Sequence, residues 1–165
     1  MPKLENQKLT RMVWRDLNDG VSDYVRGKLI EIVIMWAVHW VAFAALGLRY
    51  APLLSFLVGL SVIIPFLGAA IVTIPIVFVA YAQWGFTDQF LYVMVVFAIL
   101  QFLDGNVLVP LLFSEIVKLH PIAIICAVLV FGNIWGVWGV FFAIPLATLV
   151  NAVIKAWPRE ARRNE

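Results

Sequence analysis

The chain is too apolar to be an ordinary soluble domain. Of its 165 residues, 64% are hydrophobic and 13% are charged, whereas a soluble domain carries about 25% charged residues. Most of the charges lie before residue 29 or after residue 154, so the middle of the chain is predicted to lie in lipid. The formal net charge of +2 comes from these two ends, which indicates membrane topology and gives no basis for a nucleic-acid partner.

Residues 1–28 are predicted to form an amphipathic cytoplasmic or interfacial arm. Apolar side chains recur at every fourth position and basic side chains occupy other faces, the pattern of a helix with one apolar stripe. We expect this helix to lie along the membrane surface or against a partner helix. The stripe consists of Leu9, Val13, Leu17, Val21 and Val25.

A transmembrane domain is predicted over residues 29–157, followed by a short cytoplasmic tail, 158–165. A bilayer core about 30 Å thick needs about 20 helical residues, and the first apolar segment has that length. The second and fifth segments are too short, so each is either extended by its flanks or re-entrant. The six segments are 29–48, 52–64, 69–84, 90–103, 122–131 and 137–157.

The basic residues predict that both termini are cytoplasmic. The arm carries six Lys and Arg against four acidic residues, and the chain from Lys155 onward carries four against two. The number of crossings is then even, and both six crossings and four crossings with two re-entrant hairpins satisfy it. Six crossings place four interfacial side chains on the outer side and Trp157 on the inner side. The outer four are Arg49, Trp84, Trp135 and Trp138.

Two apolar stretches resemble each other. "PFLGAAIVTIP" has a break at Pro65, Gly68 three residues later, and then an Ile-Pro pair. "GVWGVFFAIP" has a break at Gly136, then Gly139, and an Ile-Pro pair that ends at Pro145. An inverted repeat of three and three segments would place such breaks at a shared site, although these motifs are also common in apolar chains. The predicted fold is therefore an all-α polytopic membrane protein in which a 3+3 inverted repeat is one arrangement.

The stretch "DGNVLVPLLFSEIVKLHP" gathers polar residues between two apolar segments. The helix before it is predicted to end at Asp104, Gly105 and Asn106, because Pro110 and Pro121 prevent a continuous helix. Such a break is tolerated only where it is buried in protein or faces water, so the stretch is either a cavity lining or a cytoplasmic loop. If the stretch is a cytoplasmic loop, Glu115 and Lys118, which lie three residues apart, are charges at the membrane interface.

Asp104 and Asn106 favour a cavity, because a carboxylate at membrane depth costs about 3 kcal/mol unless it is hydrated or paired. Asp104 is therefore the predicted contact for a solute or a coupling ion. We expect Asn106 to face water, and to react as cysteine with an impermeant thiol reagent from the cytoplasmic side. "VLVPLLF" is expected to pack against "FFAIP", with Leu111 shielded.

Several other polar and small residues allow more than one interpretation. His120 is either a pH switch or a helix-start residue, and for His39 an interhelical hydrogen bond is favoured over a proton relay. Cys126, the single cysteine, is interpreted as a small apolar packing residue. The glycines of "GNIWGVWG" indicate either close helix packing or a hinge, and they are Gly132, Gly136 and Gly139.

No motif of a catalytic, metal or cofactor site appears. The sequence has no H-E-x-x-H, G-x-S-x-G or P-loop, and its two histidines lie in different segments. Catalysis is therefore not predicted, and neither a metal nor a cofactor is expected.

Four motifs are similar to the C-terminal half of the autoinducer-2 exporter family, most closely its PerM-like permeases. They are "YVRGKLIE", "IIPFLGA", "DGNVLVPLLFSE" with "LHP", and "VFGNIWGVWGVFFAIPLATLV", and the resemblance runs from about residue 20 to the end. It implies an exporter of a small solute or ion in a bacterial inner membrane, with a homo-oligomeric assembly. It also implies longer family members, about twice this length. The signature positions it implies are Asp104, Gly105, Asn106, Pro110, His120, Pro121, Gly132, Gly136, Gly139 and Pro145.

The sequence thus predicts a secondary transporter that acts among membrane lipids. The polar stretch and "GNIWGVWG" are expected to line opposite ends of one pathway, with Pro65 and Gly68 at the first break. The alternative is a membrane scaffold without transport activity, which acts through its cytoplasmic arm.

Overall fold

The protein is all-α in the residues that the structure describes. This computed structural model describes residues 2–113 and 120–151, and every regular element in these ranges is a helix. The predicted all-α polytopic membrane fold is confirmed. The helices are α1 (Pro2–Ala45), α2 (Ala51–Ser61), α3 (Leu67–Trp84), α4 (Asp88–Leu103), α5 (Val109–Phe113), α6 (Pro121–Trp135) and α7 (Val137–Phe141). A π-helical turn, Asp104–Leu108, joins α4 to α5, and residues 143–151 are again helical.

Three helical stretches are long and apolar enough to cross a membrane. They are Asn18–Ala45 within α1, the whole of α3, and the run Asp88–Phe113 that combines α4, the π turn and α5. Helix α2 and residues Ile122–Trp135 of α6 are apolar but shorter. The last predicted segment is interrupted at Phe142, and its end lies outside the described residues.

Helix α1 is continuous from the predicted arm into the first predicted span. It has 44 residues, and the predicted boundary at residue 28 falls inside it. Lys28 and Glu31 lie on either side of this boundary, and their side chains pair with each other across one turn of the helix.

Two tight hairpins are built in the same way. Between α2 and α3 the chain reverses around Phe66, whose φ of 62° is rare for a residue with a side chain. Gly68 packs directly on the carbonyl of Ser61, where a Cβ atom would overlap it. Between α6 and α7 the chain turns at Gly136, with φ 63°, and Gly139 packs on the carbonyl of Phe131. The two sequence echoes therefore form similar local structures.

One end of the bundle is held together by a side-chain amide. Gln83, near the end of α3, donates a hydrogen bond of 2.8 Å to the carbonyl of Gly47 and accepts one of 2.7 Å from the amide of Arg49. The α1–α2 turn and the end of α3 therefore lie at the same end of the molecule, called here the Arg49 end. From this end an apolar core extends downward; it includes Met35, Phe43, Leu54, Val58, Val72, Ile76, Phe90, Val93 and Phe97.

Two side chains differ from their predicted packing. His39 is fully buried, but Nδ1 pairs with the carbonyl of Met35 in its own helix at 2.9 Å, so the predicted interhelical hydrogen bond is wrong. The reason is that α4 places the ring of Phe97 opposite it, with no polar group. Cys126 is exposed on α6 and does not pack in the core. In lipid an outward position suits a small apolar side chain as well as an inward one.

Candidate functional site

A cavity of about 570 Å³ lies where two chain irregularities meet one regular helix. The irregularities are the α2–α3 reversal and the π turn after α4, and the helix is α1 at Lys28. This volume is typical of sites for small molecules. The polar lining residues are Lys28, Glu31, Ser61, Gln101 and Asp104; most of the others are apolar, among them Val62, Ile64, Pro65, Phe66, Val109, Pro110, Phe113, Ile124 and Ile144.

A buried ion pair forms one wall of the cavity. Lys28 Nζ lies 2.8 Å from Glu31 Oε2, and these residues are only 3% and 1% exposed. Two charges removed from water are tolerated when they pair closely, because the attraction offsets the lost hydration. Sequence reasoning missed this pair, since it assigned Lys28 to the arm and Glu31 to the entrance of the first span. The K-x-x-E spacing at the start of an apolar helix is the signal that could have found it.

Phe113 closes the wall beside the ion pair. Its ring centroid lies 5.5 Å from Lys28 Nζ, within the range of a cation–π contact. The ring approaches α1 at Gly27, where a Cβ atom would come within 2.6 Å of it. Gly27 therefore permits the close contact that covers the charges.

The π turn corrects the predicted end of the helix at Asp104. The helix widens there and continues to Phe113. Pro110 has no N–H to donate to the carbonyl four residues earlier, so an ordinary helix would lose a bond. In the wider turn the amide of Val109 bonds to the carbonyl of Asp104, and Asn106 Nδ2 donates to the carbonyl of Phe102 at 2.8 Å. Such π-helical insertions are frequent at functional sites.

Asp104 and Gln101 bring unsatisfied polar atoms to the cavity. Among the residues that the structure describes, Asp104 Oδ1 and Gln101 Nε2 are buried and have no hydrogen-bond partner. Asp104 also interacts electrostatically with Glu31 and Lys28. The cavity thus combines one ammonium, two carboxylates and one amide, and part of their bonding capacity is free.

The polar groups share one depth in the bundle. Counted at 1.5 Å per residue, Glu31 lies about 21 Å below the end of α1, and Asp104 about 24 Å below the start of α4. Both reference points are at the Arg49 end, because Gln89 near the start of α4 also reaches the carbonyl of Leu46, at 3.4 Å. In a bilayer core of about 30 Å, the cavity is near the edge opposite the Arg49 end.

Four of the predicted site residues line the cavity: Pro65, Asp104, Gly105 and Pro110. The others lie elsewhere. Gly68 holds the α2–α3 hairpin behind it, and Asn106 is exposed on the π turn. Glu115 and Lys118 lie outside the described residues.

The predicted residues of the α6–α7 region do not reach the cavity. Gly132, Gly136 and Gly139 form the second hairpin, and Pro145 follows the lining residue Ile144. His120 precedes α6, which begins at Pro121, and its Nδ1 accepts a hydrogen bond of 3.4 Å from the amide of Ile122. The helix-start reading of His120 therefore matches its position.

The predicted packing of "VLVPLLF" is confirmed in part. Phe113, with Val109 and Leu112, belongs to one apolar cluster with Phe141, Ala143 and Ile144. Leu111, however, is 73% exposed, so its predicted shielding within the protein is wrong. Leu111 thus lies on the outer surface of α5, on the side away from this cluster.

Comparisons with known proteins agree with the membrane fold. The sequence model of a protein family, described as AI-2E family transporter, matches residues 2–159 of this chain. PerM of Escherichia coli K12, which bears the name of a candidate permease, is 52% identical over 153 residues, covering 93% of this chain and 43% of PerM.

Two further relatives are more distant. YrrI of Bacillus subtilis, named as a candidate transport protein, is 30% identical over 140 residues, covering 85% of this chain and 39% of YrrI. The AI-2 transport protein TqsA of Escherichia coli K12 is 25% identical over 137 residues, covering 83% of this chain and 40% of TqsA. A search of the solved structures found no significant match. The chain spans about two fifths of the length of the relatives it matches, and it belongs to the AI-2E family of transporters.

Proposed function

We propose that this chain forms the solute-binding part of a membrane permease that exports a small solute or ion. The observation that carries the proposal is the cavity with its buried charges, placed below a closed apolar core. A permease needs such a polar site at membrane depth, sealed on one side at a time.

The proposed orientation places the cavity toward the cytoplasm of a bacterial inner membrane. The basic arm and tail support cytoplasmic termini, and α1 then enters the bilayer close to Lys28. The packed core between the cavity and the Arg49 end would close the outer side, which corresponds to an inward-facing state. Exposed lining residues, Phe66, Gly105 and Pro110, mark the mouth of the cavity.

The irregular backbone supplies the parts that would move. Phe66 holds a strained conformation in which the amide of Leu67 bonds to the carbonyl of Pro65 at 2.7 Å. Opposite it, the π turn is an interruption of regular helix that lines the cavity. We propose that these two segments shift to open the pathway, and that the outward apolar faces contact lipids and neighbouring copies of the chain.

Asp104→Asn is expected to reduce solute flux at least tenfold, because the variant removes the unpaired charge that faces the cavity. The full chain, reconstituted in liposomes, would be assayed by osmotic swelling with a size-graded set of neutral, cationic and anionic solutes. AI-2 would be included because the relative TqsA is named for it.

The matched control is Asp88→Asn, an exposed carboxylate at the other end of α4, which should leave flux unchanged. Equal flux in both variants would remove Asp104 from the pathway. The alternative, a membrane scaffold without transport activity, would be favoured by two results together. No solute would show flux, and charge reversal in the arm, residues 1–28, would abolish the function of the protein in cells.

Thiol labelling tests the proposed side of the cavity. With Cys126→Ala as background, Asn106→Cys is expected to react with a membrane-impermeant maleimide added from the cytoplasmic side, because Asn106 is exposed beside the cavity mouth. Ile99→Cys, exposed near the middle of the apolar helix α4, should not react, since the reagent stays in water. Labelling of Asn106→Cys from the outer side alone would reverse the orientation.

A further inference from the structure

The charge left unmatched in the cavity is negative. Lys28 pairs with Glu31 at 2.8 Å, and the described residues of the lining hold no second cation for Asp104; the unsatisfied amide of Gln101 is a neutral donor. In the part of the chain that the structure describes, Asp104 Oδ1 is buried without a hydrogen-bond donor. A carboxylate at this depth is stabilised by an approaching cation, and a ligand with a positive group would satisfy it.

The rest of the cavity wall is suited to an apolar organic group and not to a bare metal ion. Hard cations take six or more oxygen ligands, and no group of three or more His, Cys, Asp or Glu side chains that could hold a metal occurs among the described residues. Most of the lining is apolar, and it includes the rings of Phe66 and Phe113. Phe113 already accepts an ammonium, that of Lys28, near its face. The cavity therefore matches a molecule with a cationic end and an apolar body.

We propose that the cavity binds a small amphipathic organic ammonium, a protonated primary amine with an aromatic or aliphatic body. The ammonium lies at the carboxylate of Asp104, and the body packs against Val109, Pro110 and Phe113. A volume of about 570 Å³ accommodates such a molecule without movement of the backbone. This inference rests on the proposed function, since it names the solute class of the same site.

Three probes with similar bodies and different head groups test the proposal on the unaltered chain. The full chain, in nanodiscs of native lipid, is titrated with radiolabelled 2-phenylethylamine, and 2-phenylethanol and 3-phenylpropionate serve as competitors. The amine is expected to bind at least tenfold more tightly than the alcohol, and the acid more weakly still, because only the amine offers a charge to Asp104. Equal binding of all three would show apolar partitioning and would overturn the proposal.

Variants then locate the binding site. Asp104→Asn should lose at least tenfold in amine affinity, whereas Asp88→Asn should retain it. Retention of affinity in folded Asp104→Asn would overturn the assignment, with folding checked by the melting midpoint and elution volume.

The two proposals fail separately. Flux of other solutes without amine binding would overturn this inference and leave the permease intact. Saturable amine binding through Asp104 without flux of any solute would support the inference and contradict the permease.

Discussion

Lys28→Met is expected to lower the free energy of unfolding by about 3 to 5 kcal/mol, because it leaves the carboxylate of Glu31 buried and unpaired. Glu31→Gln should have a comparable effect, since the ammonium of Lys28 then lacks its partner 2.8 Å away. The double variant should recover most of the loss, because two neutral side chains of similar volume replace the pair. A double-mutant cycle in nanodiscs, measured by thermal and denaturant unfolding, gives the coupling between them.

Arg26→Met is the matched control for this cycle. Arg26 lies in the same helix but is exposed, so its replacement should change stability by less than about 0.5 kcal/mol. If Lys28→Met lowered the free energy of unfolding no more than Arg26→Met does, water would reach the ion pair. The cavity would then be more open than the burial of Lys28 and Glu31 indicates. A double variant as unstable as the sum of the single variants would contradict direct pairing.

Gly68→Ala and Gly139→Ala are expected to destabilise the protein by about 3 kcal/mol or more each, because a backbone contact leaves little room for relaxation. The added methyl group would overlap the carbonyl of Ser61 in the first hairpin and that of Phe131 in the second. Folded yield after detergent extraction and the melting midpoint would measure the effect.

Gly20→Ala provides the control for both hairpins. Gly20 lies within α1 and has open space where a Cβ would stand, so the substitution should stabilise the helix by about 0.5 to 1 kcal/mol. If Gly68→Ala behaved like Gly20→Ala, the hairpin would not be tight, and the wall that it forms beside the cavity would need another explanation. If Gly139→Ala alone were tolerated, the two hairpins would differ in spite of their similar sequences.

The two hairpins have similar local structures but different positions relative to the cavity. The first hairpin holds Pro65 and Phe66 at the cavity, whereas the second contributes through Ile144, beyond its turn. The reversals are built alike, but they stand at different distances from the charged residues. The arrangement of the two halves as an inverted repeat stays a prediction.

The class of protein and the positions of most helices follow from the pattern of apolar and charged residues along the chain. Hydropathy and charge are properties of each segment alone, so the membrane location and the break before α3 at Pro65 followed from composition and local sequence. Asp104 also stood out because a carboxylate at the end of an apolar segment is costly anywhere in a bilayer. Its selection as a candidate site residue required no knowledge of its neighbours.

Which faces of these helices point inward depends on the contacts between helices. In a soluble protein polar residues mark the outer face, but in lipid both faces are apolar, so periodicity could not place Leu111 or Cys126. The pair of Lys28 and Glu31 is local to α1, but its burial beside Asp104 depends on α1 and α4 lying side by side, a contact between distant parts of the chain. The π turn likewise arises from the competition between Pro110, which removes a donor, and the packing of Phe113 on Gly27, which keeps the helix continuous. From the sequence alone, Pro110 predicts a break in the helix. In the structure the helix continues past Pro110 to Phe113, which packs on Gly27.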